Sequence, residues 1–279
     1  VSPPRRVVLE LSSYQLEWPG EMVFSPHVAA GLNIMPNHLD RHGTFEAYAA
    51  AKAHILSHQR PDDIAVLVAD DPASRSLETT VKGRLTWAGT ALDGDGVTLS
   101  GGWIVRRREG VEERVFDTAR LLIPGRHNVL NALAAAACAL EMGVPATAVA
   151  DGFAAFRGVP HRLELVGEIG GVMFYNDSKA TTPEAAAVGI SAFEGGVLPI
   201  LGGYDKGVTF EGMARAIAGR IRWAALIGVT APKIRAALDA EGIASDTFAS
   251  LADAFRACVA RAHPGDAVLL SPEIGRANV

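Results

Sequence analysis

Cysteine is scarce in this chain: 279 residues carry two, Cys138 and Cys258. Both sit in alanine-rich stretches that read as helices, so they are expected as small core residues and not as a disulfide framework. Long apolar runs are missing too, and nothing approaches the roughly 20 residues needed to cross a bilayer. No lysine- or arginine-rich block is present and the net charge is −5. A phosphate-backbone partner would want a basic face, so neither nucleic acid nor membrane is expected as a partner. There are no internal repeats and no low-complexity tracts. The chain opens Val1-Ser2-Pro3-Pro4-Arg5-Arg6, without an initiator Met or the apolar core of a signal peptide, and reads as the cut end of something longer. A reducing, cytoplasmic setting is expected. What is present, 49% hydrophobic and 20% charged residues, suffices for one large domain or two ordinary ones with a sizeable core.

Arg6 to Leu11 reads as a short buried strand, and Val28 to Ile34 as a second. Thr44 offers an N-cap for a helix to about His58, and Ile64 to Ala69 is a further strand. From Gly83 to about Ile123, short strands and turns such as Asp93-Gly94-Asp95-Gly96 suggest antiparallel hairpins. A helix from Asn128 to Met142 ends at Gly143. Beyond Arg157-Gly158-Val159-Pro160, strands at 172–175, 197–201, 224–227 and 267–270 alternate with helices near 183–193, 210–220, 231–241 and 250–262. That rhythm predicts a parallel, Rossmann-like sheet covered by helices. The class is α/β, with domains expected at 1–158 and 159–279.

Several residues are placed for chemistry. Glu10 would be a carboxylate near the end of a buried strand, costly unless paired or metal-bound. His38 and Asp40 follow a strand in a loop dense with polar groups. Lys52 lies among alanines that could bury its amine, although it would also suit a lysine lying along an ordinary helix. His127, Asn128 and Asn131 open a helix, where the asparagines could hydrogen-bond a planar ligand or cap the helix. Asn176-Asp177-Ser178-Lys179-Ala180-Thr181-Thr182-Pro183 runs from a strand into a helix start that favours anions. Gly202-Gly203-Tyr204-Asp205-Lys206-Gly207 repeats that arrangement, and Ser271 follows the last strand. Lys179, Lys206 and Ser271 thus share one sheet edge, which fits a small dianionic or carboxylate substrate.

Taken in order, Leu9–Glu17 (Leu-Glu-Leu-Ser-Ser-Tyr-Gln-Leu-Glu), Asn37-His38-Leu39-Asp40-Arg41, Ala50-Ala51-Lys52, Gly125-Arg126-His127-Asn128, Pro160-His161-Arg162, Asn176–Thr181 and Leu270-Ser271-Pro272 resemble the Mur ligase family, and most of all its D-glutamate-adding branch. The resemblance runs from residue 6 to residue 272. It implies an ADP-forming ligase of peptidoglycan precursor synthesis, with ATP and Mg2+ as cofactors and UDP-N-acetylmuramoyl-L-alanine and D-glutamate as substrates. By the same resemblance Glu10, His38 and a carbamylated Lys52 would hold magnesium, with His38, Lys52 and Lys179 counted as catalytic. His127, Asn128, Asn131, Arg162 and Asp177 would face the nucleotide. Lys179, Thr181, Lys206 and Ser271 would receive D-glutamate. A monomer is expected.

Two departures stand against full activity. The Gly-x-x-Gly-Lys-Ser/Thr loop of the family has no counterpart in the chain, and neither has the domain expected before it. After Pro272 the sequence Glu-Ile-Gly-Arg-Ala-Asn-Val leaves the family pattern. The competing readings are a non-catalytic remnant of such a ligase and a related amide ligase such as a folylpolyglutamate synthase; the Leu-Ser-Ser-Tyr-Gln segment argues against the latter.

Overall fold

The structure, a computed structural model, describes residues 6–17, 24–35, 38–205 and 207–272, and of Leu39 and Asp40 only the backbone. It divides into two compact units, Val1–Arg120 with Val129–Ala155 and Leu121–Asn128 with Phe156–Val279.

In chain order the first unit contains α1 (Ser13–Leu16), β1 (Val28–Gly31), α2 (Leu39–His42), α3 (Phe45–Ala53), β2 (Ile64–Val68), α4 (Pro72–Ser76), β3 (Arg84–Ala88), β4 (Gly96–Ser100), β5 (Trp103–Arg108) and β6 (Val111–Asp117), then most of α5 (Arg126–Glu141) and α6 (Ala146–Ala155). The six strands form one sheet in sequence order. The Ile-Ala-Val-Leu-Val run of β2 is buried along its whole length, as expected for a parallel strand with neighbours on both sides. Thr44 caps α3 by accepting a hydrogen bond from Ala47 N at 3.1 Å. Gly143, at φ 74°, ends α5: its N–H and that of Val144 bond back to Leu140 and Ala139.

Two sequence expectations need correction in this unit. Arg6–Leu11 is not a strand: among the described residues β1 pairs only with β2 and the apolar run has no ladder partner, and Val8 is 97% exposed. Asp93–Gly96 does not close a hairpin. It links two parallel strands, with β4 meeting β3 at Ala88 and Val97. The antiparallel turns instead lie between β4 and β5 and between β5 and β6.

The second unit continues with β7 (Glu164–Ile169), β8 (Val172–Asn176), α7 (Pro183–Ile190), β9 (Val197–Gly203), α8 (Glu211–Ile217), β10 (Trp223–Gly228), α9 (Ala231–Ala240), β11 (Ala244–Thr247), α10 (Leu251–Arg261) and β12 (Ala267–Leu270). Sheet order is β11-β10-β9-β12-β8-β7, parallel except for β7. Strand residues alternate between two cores. Val197, Leu201, Leu226 and Leu269 pack with α7, α8 and α9, whereas Leu198, Ile200, Ile227 and Val268 pack with α10. Cys258 belongs to the latter core, and burial pushes its thiol up to about 12; Cys138 is pushed up to about 11. Parallel pairing of β8, β12, β9 and β10 brings their C-terminal ends to one edge, where the segments after Asn176, Leu270, Gly203 and Gly228 emerge.

Candidate functional site

At that edge Asp177 leaves the end of β8 with its N–H bonded to Leu270 O on β12 at 2.8 Å. The side chain is buried. Its Oδ1 accepts from Leu163 N at 3.1 Å, and its Oδ2 accepts from the Ser271 hydroxyl at 3.4 Å. Burial pushes the Asp177 carboxyl above its usual range, with those two bonds and the Arg162 charge working against the shift. Room for it comes from Gly189 of α7, where a Cβ would stand 2.5 Å from Oδ2. Ser271 is fully buried and holds β9 through Ile200 O at 3.1 Å.

The segment at 161–163 is stapled to the same turn. Lys179 N donates to His161 O at 3.0 Å, and Asn176 Nδ2 lies 2.9 Å from His161 Nδ1. His161 and Leu163 adopt left-handed backbone, φ 67° and 44°. Lys179 and Arg162 are exposed and Thr181 is half-buried. Thr182 caps α7 through Ala185 N at 3.2 Å. Across the edge, Gly202 and Gly203 have φ 119° and 156°, and the buried Thr230 hydroxyl accepts from Gly203 N at 2.9 Å. Lys206 lies outside the described residues; its neighbour Asp205 pairs with Lys233 at 2.5 Å. The structure therefore gathers Asp177, Ser271, Lys179 and Thr181 on adjoining strand ends, supported by His161 and Asn176, which the sequence reading quoted without a role, and by Thr230, which it did not name.

His127 opens α5, and burial alone lowers its basicity. Asn128 donates from Nδ2 to Pro124 O at 2.7 Å, which uses part of its amide for capping; Asn131 is exposed.

In the first unit the Ser12–Glu17 segment forms α1 by a capping box between Ser12 and Gln15. Tyr14 OH lies 3.2 Å from His38 Nδ1, and Lys52 Nζ stands over the Tyr48 ring at 5.2 Å. His38 and Lys52 are thus tied to neighbouring aromatic rings. Glu10, by contrast, is exposed and lies outside any helix or strand. Among the described residues no three histidine, cysteine, aspartate or glutamate side chains converge on a metal position. Sequence reasoning passed over Glu17 and His42, which pair at 2.8 Å, although both lie in or beside the segments already singled out.

Family models match twice: the Mur ligase middle domain over residues 3–139, and the Mur ligase glutamate ligase domain over residues 161–274. The UDP-N-acetylmuramoylalanine–D-glutamate ligase of Pelotomaculum thermopropionicum is 42% identical over 275 residues, 97% of this chain and 59% of that protein. The ligase of the same name from Thermoanaerobacter sp. (strain X514) is 40% identical over 270 residues, 95% of this chain and again 59% of the relative. The chain therefore spans about three-fifths of the length of these curated relatives. Among solved structures, MurF ligase from Thermotoga maritima in complex with ADP superposes with a TM-score of 0.64 at 20% identity, covering 88% of this chain and 58% of that one, a likeness of fold.

Proposed function

The chain belongs to the Mur ligase family, and from that premise we propose that it carries the central and C-terminal parts of an ATP-dependent ligase adding D-glutamate to UDP-N-acetylmuramoyl-L-alanine. ATP would phosphorylate the carboxylate of the alanyl substrate, giving an acyl phosphate and ADP. The D-glutamate amine then attacks the acyl carbon; a C–N bond forms, the C–O bond to phosphate breaks, and the amine gives up a proton. The observation that carries this reading is the clustering of Lys179, Thr181 and Ser271 at the ends of β8 and β12, in a domain that matches the glutamate ligase model.

Lys179, with Lys206 as its expected partner, would pair with the two carboxylates of D-glutamate, and the Thr181 and Ser271 hydroxyls would complete the contacts. His127, Asn128, Asn131, Arg162 and Asp177 would serve the nucleotide. Two of the carboxylate lone pairs of Asp177 are used by Leu163 and Ser271, and the others remain to accept a ribose hydroxyl. Magnesium would neutralise phosphate charge in such a reaction. The candidates to hold it are Glu10, His38 and Lys52, the last as its carbamate; among the described residues no group of three histidine, cysteine, aspartate or glutamate side chains converges elsewhere on a metal position. We place the reaction in the bacterial cytoplasm, carried out by a monomer. No helix among the described residues is long and apolar enough to cross a membrane.

The nucleotide half is tested by titrating the chain with ADP and following its NMR spectrum. No Gly-x-x-Gly-Lys-Ser/Thr segment occurs in its 279 residues, so binding should be weak, with shifts at His127, Asn128 and Arg162. A spectrum unchanged at millimolar ADP removes the nucleotide from the proposal.

A further inference from the structure

Ser13 and Tyr14 of α1 and its C-cap residue Glu17 are spaced so that all three reach α2 from one face. Glu17 Oε2 accepts from Arg41 Nε at 2.9 Å and from Arg41 Nη2 at 2.7 Å, while Oε1 accepts from His42 Nδ1 at 2.8 Å. The other ring nitrogen of His42, Nε2, lies 3.0 Å from the Ser13 hydroxyl. With the carboxylate accepting at Nδ1, a neutral ring accepts the serine proton at Nε2, so both sides of the imidazole are satisfied. The His42 side chain is 2% exposed. A Ser–His–Glu order suggests a nucleophile, but Ser13 is itself 3% exposed and out of reach of any substrate.

What this chain of bonds fixes is the residue just before α2. His38 is a non-glycine residue at φ 54°, left-handed backbone that persists only where its surroundings enforce it. Its carbonyl accepts from Arg41 N at 3.1 Å and from His42 N at 3.0 Å, the two residues whose side chains Glu17 grips. Its ring meets Tyr14 OH at 3.2 Å, and the Arg41 guanidinium covers the Tyr14 ring at 4.9 Å. A helix of four residues does not hold its own shape in water. Its order comes from what the side chains of Arg41 and His42 grasp.

We propose that Glu17 and His42 are positioning residues that hold the His38 imidazole in place through α2. The inference deepens the ligase reading, in which His38 serves the phosphate's counter-ion, and rests on that reading only for what His38 is held for.

The test needs no ligand, so its outcome is separate from that of the ligase reading. In the whole chain with labelled histidine, the His38 Cε1–Hε1 cross-peak and its NOE to the Tyr14 ring are recorded. Glu17→Ala should displace the cross-peak and abolish the NOE, with the second unit's amide spectrum unchanged. Glu17→Gln keeps one acceptor and should give an intermediate displacement. Arg256→Ala, which removes an exposed pair on α10, should leave both signals where they are. A His38 cross-peak and NOE unmoved by Glu17→Ala would overturn the proposal. Should that variant fail to fold, an unmoved signal in Glu17→Gln overturns it equally, and an intermediate displacement supports it.

Discussion

Asp177 and His42 both carry buried polar side chains, and both tie a candidate site residue to its surroundings, yet they are held by different means. Asp177 sits at the end of a parallel strand, fixed by backbone bonds to Leu270 and Leu163 and by Ser271, which is itself bonded to β9. His42 belongs to a four-residue helix and is fixed by Ser13 of another four-residue helix and by that helix's C-cap, Glu17. A sheet-edge arrangement inherits the stiffness of the core beneath it. A latch between short helices has only its own few bonds. Single surface substitutions should therefore disturb the first unit's cluster, whereas the second unit's should fail chiefly when its sheet fails.

The largest expected effect is at Gly202. Its φ is 119° and an added Cβ would stand 2.0 Å from Ile227 O on the adjacent strand, so Gly202→Ala must push β9 and β10 apart. A loss of about 3 kcal/mol is expected from the combined overpacking and backbone strain, read as a lower urea midpoint together with displaced Lys179 and Ser271 signals. The comparison sharpens at Gly43, between α2 and α3, where φ is 75° but nothing lies within 4 Å of an added Cβ. There Gly43→Ala should cost only about 1 kcal/mol, the left-handed penalty alone. Equal losses at the two positions would break the contrast drawn between the units.

A smaller effect concerns pH. Burial raises the Asp177 carboxyl above its ordinary value of 3.8, so the folded state holds this proton more tightly than the unfolded state does. Its contribution is most favourable below 3.8 and is lost as pH rises through the folded value. Asp177→Asn should remove that component: the variant should lose less stability than the parent on going from acid towards neutral pH. Parallel stability–pH curves for the two proteins would show that the carboxylate is solvated and not buried as described.

Much of this arrangement was visible in the sequence because of how parallel sheets are built. Continuous apolar runs such as Val197–Leu201 and Ala267–Leu270 mark interior strands, and the polar segments that follow them must emerge at one edge. Residues 164–169 and 244–247 escaped notice because edge strands need no continuous apolar run: β11 reads Ala-Ser-Asp-Thr, and the apolar residues of β7 are largely exposed. Arg6–Leu11 misled for the opposite reason, being strand-like in composition but without a partner strand. Glu17 and His42 were passed over since their meaning depends on two short helices facing each other, which periodicity over so few residues cannot reveal. Lys206, half of the expected dicarboxylate recognition, lies outside the described residues.

The central claim is that the second unit holds a D-glutamate site at the C-terminal edge of its sheet, and NMR titration of the chain with each enantiomer of glutamate tests it most directly. Charge-assisted contacts of roughly 1.5–3 kcal/mol each, less the cost of association, support affinity on the order of millimolar. D-glutamate should shift signals of Lys179, Thr181 and Ser271 saturably in that range, with L-glutamate shifting them less. Identical responses to both enantiomers, or none to either, would contradict the claim.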